Sequence, residues 1–241
     1  MKLIENLVLD VNRLLVGSSI LLFFIISYFF KFDYLVLSLI TIFTIYDLYK
    51  SNFINTKYSF VSLISFILIF PLIYIDKNLI EFLNLFLICC LIIIIYKPNF
   101  YIKYLFLITI LIFVYNFFVI FLKSRDLFFF IFFISFFNDT LAYIFGKVIK
   151  GPLIIPLISP NKTWSGTITS ALSTCVLLYI FDYNLFTSAI LSLSLFFGDI
   201  FFSLVKRKIN MKDFSNILGS HGGILDRLDS IFFFIIILNY L

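Results

Sequence analysis

Charge is what this sequence has least of. Asp, Glu, Lys and Arg make up 13% of 241 residues, about half the ~25% of an ordinary soluble domain. So little charge cannot cover a soluble globule of this size, which excludes a water-soluble enzyme, a disordered chain and a nucleic-acid-binding domain. Eight Gly and five Pro are too few for a collagen-like chain or a linker. Cysteine is scarce as well. Cys89, Cys90 and Cys175 all lie in apolar runs, with no CxxC and no Cys/His spacing. A disulfide framework and a zinc site are therefore not expected, and the three read as small apolar residues. With a single His, a histidine cluster is impossible.

What is present is apolar surface. Hydrophobic residues make up 63% of the chain, 36 of them Phe, and the mean hydropathy is +1.15. The apolar runs are continuous rather than alternating, which argues for helices and against a β-barrel. The fold class expected is all-α: a polytopic integral membrane protein. Nine runs can be marked, at roughly 14–30, 34–49, 58–75, 79–96, 104–122, 127–145, 166–181, 185–205 and 228–241. The first 15 residues read as a short interfacial helix. No small-residue cleavage site follows the first run, so that run is expected to be a retained span.

Nine spans divide the 18 Lys and Arg unequally. One side carries Lys31, Lys77, Lys123 and Arg125, and the other carries the remaining 14. The positive-inside rule places the richer side, with the N-terminus, in the cytoplasm. Residues 1–137 hold short loops and little that reads as chemistry, and are expected to be a lipid-embedded scaffold carrying any dimer contact. Asp47 and Glu81 fall inside apolar runs there. Each sits near a span end, so snorkelling to the interface is the expectation over a functional role. Residues 138–241 form the expected catalytic region, with two long cytoplasmic loops.

Asp139 and Asp199 each lie six residues before the cytoplasmic end of a span, roughly 9 Å inside it at 1.5 Å per residue. Carboxylates at that depth call for a wet cavity, a partner or a cation. Asp199, Ser203 and Lys206 recur at i, i+4 and i+7 and share a helix face. Asp226 and Asp229 share another. Carboxylate oxygens suit Mg²⁺, which binds through one or two carboxylates plus substrate phosphates. Lys206, Arg207, Lys208, Lys212 and Arg227 around them would take anionic oxygens. Gly222 and Gly223 allow backbone N–H groups to approach a phosphate closely. His221 is a candidate acid/base or a structural hydrogen-bonding residue. In the other loop, Lys162 and Thr163 stand just before a helix N-terminus, a geometry that favours anions. Trp164 is an interface anchor, with stacking on a base as the alternative.

These residues carry a resemblance. Ser203, Lys206-Arg207, Lys212-Asp213, Ser215, Gly219, His221-Gly222-Gly223, Ile224 and Asp226-Arg227-Leu228-Asp229 match without a gap the signature of the phosphatidate cytidylyltransferases (CDP-diacylglycerol synthases). Gly198-Asp199, Ser159 to Trp164, and Asp139 through Ala142-Tyr143 to Gly146-Lys147 resemble further elements of that family. The likeness covers roughly residues 138–229. Three positions depart from the pattern. Ser165 stands where the family usually has Glu or Gln, Phe202 where it usually has Glu, and Lys150 where it often has Gly.

The resemblance implies transfer of CMP from CTP to phosphatidic acid in a bacterial inner membrane, with the active site facing the cytoplasm. It also implies a homodimer. The metal ligands would be Asp199 and Asp226, holding Mg²⁺ with or without a second cation. Catalytic roles would fall to Asp199, Asp226, Asp229, Lys206, Arg207 and His221, and Asp139 would support them. Lys162, Thr163, Ser203, Lys212, Asp213, Gly222, Gly223 and Arg227 would bind CTP or phosphate. Two rivals stand beside this reading: a CTP-dependent enzyme acting on another membrane lipid, such as a polyprenol kinase, and an ion or anion transporter. A transporter should spread its acids through the bundle, and here they cluster in one half.

Overall fold

In an apolar setting every backbone N–H and C=O must be satisfied within its own segment, so long apolar runs fold as helices. The computed structural model describes residues 18–20, 22–51, 94, 102–219 and 222–240. Each apolar run within that range forms a helix. These are α1 (Ser18–Phe30), α2 (Asp33–Lys50), α3 (Ile102–Lys123), α4 (Arg125–Ile149), α5 (Trp164–Ile180), α6 (Leu185–Lys208), the single turn α7 (Leu225–Leu228) and α8 (Ile231–Leu238). The runs expected at 58–75 and 79–96 lie, apart from Ile94, outside the described residues. Among the described residues, three helices are long and apolar enough to cross a membrane: Leu105–Lys123 within α3, Arg125–Ile149 and Leu185–Lys208. The run expected over 228–241 is broken, because residues 229 and 230 form a turn and α8 has only eight residues.

One element departs from the all-α expectation. Between α4 and α5 the chain forms a two-stranded antiparallel ribbon, β1 (Leu153–Ile155) and β2 (Ser159–Thr163), with Leu153 opposite Thr163 and Ile155 opposite Ser159. A three-residue turn with Pro156 at its start joins them. Strands this short leave no period-2 signal in the sequence.

The chain divides into two compact units: Met1–Asn55 with Asp213–Arg227, and Thr56–Lys212 with Leu228–Leu241. In the second unit α4 packs on α5, α5 on α6, and α8 against α3, α4 and α6. Its core is aromatic. Phe106 and Phe202 lie 5.3 Å apart, Phe113 and Phe232 5.2 Å, and Phe202 and Phe232 5.3 Å, measured between ring centroids. Offset and edge-on ring pairs of this kind add about 0.5–1.5 kcal/mol each beyond their buried area. Phe202, which stands where the resembling family carries Glu, is therefore a core residue and does not line a site. Buried polar pairs join the helices: Ser135 to Ser230 at 2.7 Å, Asn116 to Asn239 at 2.9 Å and Thr174 to Asn138 at 3.3 Å. Within a membrane bundle such bonds hold helices where apolar burial alone gives little direction.

Close backbone approach sets two helix crossings. A Cβ on Gly166 of α5 would overlap the Ala142 carbonyl oxygen of α4 at 2.5 Å, and one on Gly198 of α6 would overlap the Ser230 carbonyl oxygen at 2.8 Å. At the end of α4, Lys150 takes φ 58° and ψ −168°, a region that essentially only glycine enters without strain. The two remaining departures meet there, since the Ser165 Oγ donates to the Lys150 carbonyl oxygen at 2.5 Å.

Two substitutions should move stability in opposite directions. Gly198→Ala should destabilise the folded protein by about 1–3 kcal/mol through overpacking against backbone. Lys150→Gly should stabilise it by about 1 kcal/mol through relief of strain. Thermal unfolding in detergent, followed by size-exclusion, checks both signs.

Candidate functional site

The Asp213–Arg227 loop is built on two carboxylates. Asp226, at the start of α7, is 8% exposed. Its Oδ2 accepts the backbone N–H of Phe214 and that of Gly223, each at 2.9 Å. One oxygen thus ties the beginning of the loop to its end. Gly222 sits at φ 78°, and a Cβ there would meet the same Oδ2 at 2.7 Å. A side chain at 222 would therefore be excluded both by conformation and by space. The Leu218 N–H donates to the Gly222 carbonyl at 2.9 Å and closes the interior of the loop.

The second carboxylate comes from α2. Asp47 is fully buried. Its Oδ1 accepts the Ser215 hydroxyl at 2.5 Å, and its Oδ2 accepts the Leu225 N–H at 2.7 Å. A Cβ on Gly223 would collide with the same carboxylate. The expectation that Asp47 snorkels to the interface is corrected here. A carboxylate that cannot reach water must be hydrogen-bonded, and this one finds its donors 168 and 178 residues along the chain. Helix spacing could not show that. The signal available was the rule that an acid inside a span is functional by default.

In the other unit, two acids pair with two lysines. The Lys162 Nζ on β2 forms an ion pair with the Asp199 Oδ2 on α6, and it lies 5.7 Å from the Phe196 ring. The Lys206 Nζ lies 3.8 Å from the Asp229 Oδ2, and the Asp229 Oδ1 accepts the Ser230 N–H at 2.9 Å. Lys206 and Asp229 are both buried. The shared face expected for Asp199 and Lys206 is thus used, one position meeting the ribbon and the other the turn before α8. Arg207 is exposed and reaches two carbonyls, Ile158 at 3.2 Å through Nε and Met211 at 3.1 Å through Nη1. The ribbon is therefore fastened to the end of α6 by an arginine as well as a lysine.

The remaining expected residues fall as follows. Thr163 is the N-cap of α5, its Oγ1 accepting the Gly166 N–H at 3.3 Å. Ser203 and Asp213 are half-buried, and Lys212, Arg227 and Asp139 are exposed. Trp164 is 48% exposed at the first position of α5. His221 lies outside the described residues. Within either unit, among the described residues, no group of three or more His, Cys, Asp or Glu side chains converges as a metal cluster.

The arrangement can bind anions. Arg227 is an exposed cation in a loop whose inner N–H groups are organised by carboxylates. The Lys162–Asp199 pair sets an acid against a cation; a divalent metal could take the lysine's place at the acid, and a phosphate the acid's place at the lysine. Comparison with known proteins identifies the family. The chain is similar to a phosphatidate cytidylyltransferase of Rickettsia conorii, 43% identical over 109 residues, covering 39% of this chain and 47% of that protein. It is similar to one of Staphylococcus aureus, 42% identical over 120 residues, covering 46% of each. The chain thus spans about half the length of the curated relatives it matches. The family model described as the cytidylyltransferase family matches residues 11–241, nearly the whole sequence, and the chain belongs to that family.

Proposed function

We propose that this protein transfers CMP from CTP to phosphatidic acid, forming CDP-diacylglycerol and releasing pyrophosphate. The observation that carries the reading is the Asp213–Arg227 loop. Its signature residues are those of a family whose relatives are phosphatidate cytidylyltransferases, and its glycines and acids are locked into one closed structure. A phosphate oxygen of the lipid attacks the α-phosphorus of CTP in line. A P–O bond forms there as the bond to the β-phosphate breaks, and pyrophosphate leaves with the electron pair. Arg207, Lys212 and Arg227, all exposed, are suited to neutralise the triphosphate, and Lys162 can do the same once released from Asp199.

The acids fit a hard cation. Asp199 offers carboxylate oxygens, is half-buried and is paired with a lysine. Asp199 and Asp226 are the ligands that the motif implies, with Asp229 assisting. Bound Mg²⁺ would supply charge neutralisation and polarise the reacting phosphate. The protein's own contribution is to hold those acids out of bulk water and to set the loop amides in place.

The protein sits in the membrane, in this reading, with its N-terminus and both motif loops on the cytoplasmic side of a bacterial inner membrane. That is the side on which CTP is found, and charge counting selects the same side independently. A homodimer completes the reading.

Purified protein in detergent with phosphatidic acid and Mg²⁺ should release pyrophosphate from CTP and not from ATP. Comparable rates with ATP, or release from CTP without a lipid phosphate, would remove the assignment. A phosphorylated lipid as product in place of CDP-diacylglycerol would point to the kinase-like rival.

Asp199→Asn is the cleanest test of the metal acids, because Asp226 also holds the loop closed through two backbone bonds. The loss expected for Asp199→Asn is about 10²–10³ in turnover, with the folded yield preserved. Asp182→Asn serves as the control. Asp182 sits at φ 66° in the turn between α5 and α6, a conformation that Asn accepts readily. It should leave turnover unchanged across a Mg²⁺ titration. Near-normal turnover of Asp199→Asn at limiting Mg²⁺ would take Asp199 out of the metal site.

A further inference from the structure

We propose that Asp47 is a positioning residue for the motif loop: a carboxylate on a membrane helix that fixes the catalytic loop from outside the motif. The inference rests on the reading of that loop as the CTP-handling segment. Asp47 lies in the part of the chain whose sequence carries no recognisable chemistry. Its two oxygens attach to Ser215 and Leu225, at the two ends of the segment that holds Gly219, His221, Gly222 and Gly223. Asp226 makes the neighbouring pair of attachments, to Phe214 and Gly223. The loop is thus stapled twice, and the two staples interleave along the sequence.

Three features separate this from ordinary core packing. Asp47 is a buried acid in an apolar helix, where an apolar residue would cost less to bury. The Leu225 N–H opens α7, so it has no carbonyl of its own helix to meet, and Asp47 supplies the acceptor. Gly223 has no room for a side chain because the Asp47 carboxylate occupies that space, so the second glycine of the motif is matched in shape to an acid on α2. On the α2 side, the Ser51 N–H and hydroxyl both bond the Asp47 carbonyl, at 3.0 and 2.5 Å. The end of the helix that bears the staple is itself held.

Asn is nearly isosteric with Asp. Its carbonyl can accept the Leu225 N–H while its amide donates to the Ser215 oxygen, so the staple survives without the charge. Ala removes both attachments, and Ser215→Ala removes one without touching α2. The experiment compares Asp47→Ala, Asp47→Asn and Ser215→Ala in the full chain in detergent. It reads amide hydrogen exchange over residues 213–227 together with steady-state CTP turnover.

In Asp47→Ala, exchange across the loop should rise about ten- to hundredfold, kcat with CTP should fall by a similar factor, and KM for phosphatidic acid should stay within twofold. Asp47→Asn should restore both, and Ser215→Ala should fall between. Should Asp47→Ala not fold, the Ser215→Ala and Asp47→Asn arms still decide. A lower melting temperature with unchanged loop exchange and unchanged kcat would overturn the proposal. So would a turnover loss in Asp47→Asn as large as in Asp47→Ala with the loop undisturbed, because the carboxylate would then act chemically. If the parent turns over no CTP, the proposed reaction fails, while the exchange comparison still tests the staple.

Discussion

A carboxylate removed from water has to meet an N–H, a hydroxyl or a cation, and much of what is specific in this protein follows from that requirement. Asp47 and Asp226 meet it with backbone amides and a serine hydroxyl, and so shape a loop. Asp199 and Asp229 meet it with lysines, and so fasten a ribbon and a turn to α6. An unpaired ion in such surroundings costs several kcal/mol. Each acid therefore selects the backbone arrangement that satisfies it, and the glycines beside two of them leave the room this requires.

The two kinds of partner suit different tasks. An acid bonded to backbone N–H groups is a fixed part of the framework, since those donors cannot leave without opening the loop. An acid paired with a lysine is exchangeable, because a long flexible side chain can turn to another anion and leave the carboxylate to another cation. Asp199 with Lys162 is of the second kind. Asp226 is of the first kind, a loop staple held by two backbone N–H groups.

Around these polar contacts the aromatic core does simpler work. Phe106, Phe113, Phe201, Phe202 and Phe232 fill the space between α3, α6 and α8. Phe202, beside the motif, belongs to this core. It is fully buried against Phe106 and Phe232, so an apolar side chain fits there. Ser165 and Lys150 depart from the family pattern together, and they touch.

Composition by itself determined that the chain is helical and apolar, because long uninterrupted runs admit no other way to satisfy the backbone. The described helices, the single turn α7 apart, fall on the runs marked from hydropathy. The motif residues, and hence the family, were equally legible, because they are close together in sequence and their spacing is fixed. The β1–β2 ribbon was not legible, since strands of three and five residues carry no period. The break before α8 falls at Asp229 and Ser230, two polar residues that the long apolar stretch after them outweighed in hydropathy. Only the tertiary structure decided what Asp47 does. Hydropathy records that an acid interrupts a span, and it cannot record that the donors answering that acid lie 168 and 178 residues away. A local pattern carries local geometry, whereas the partner of a buried charge is chosen by the fold.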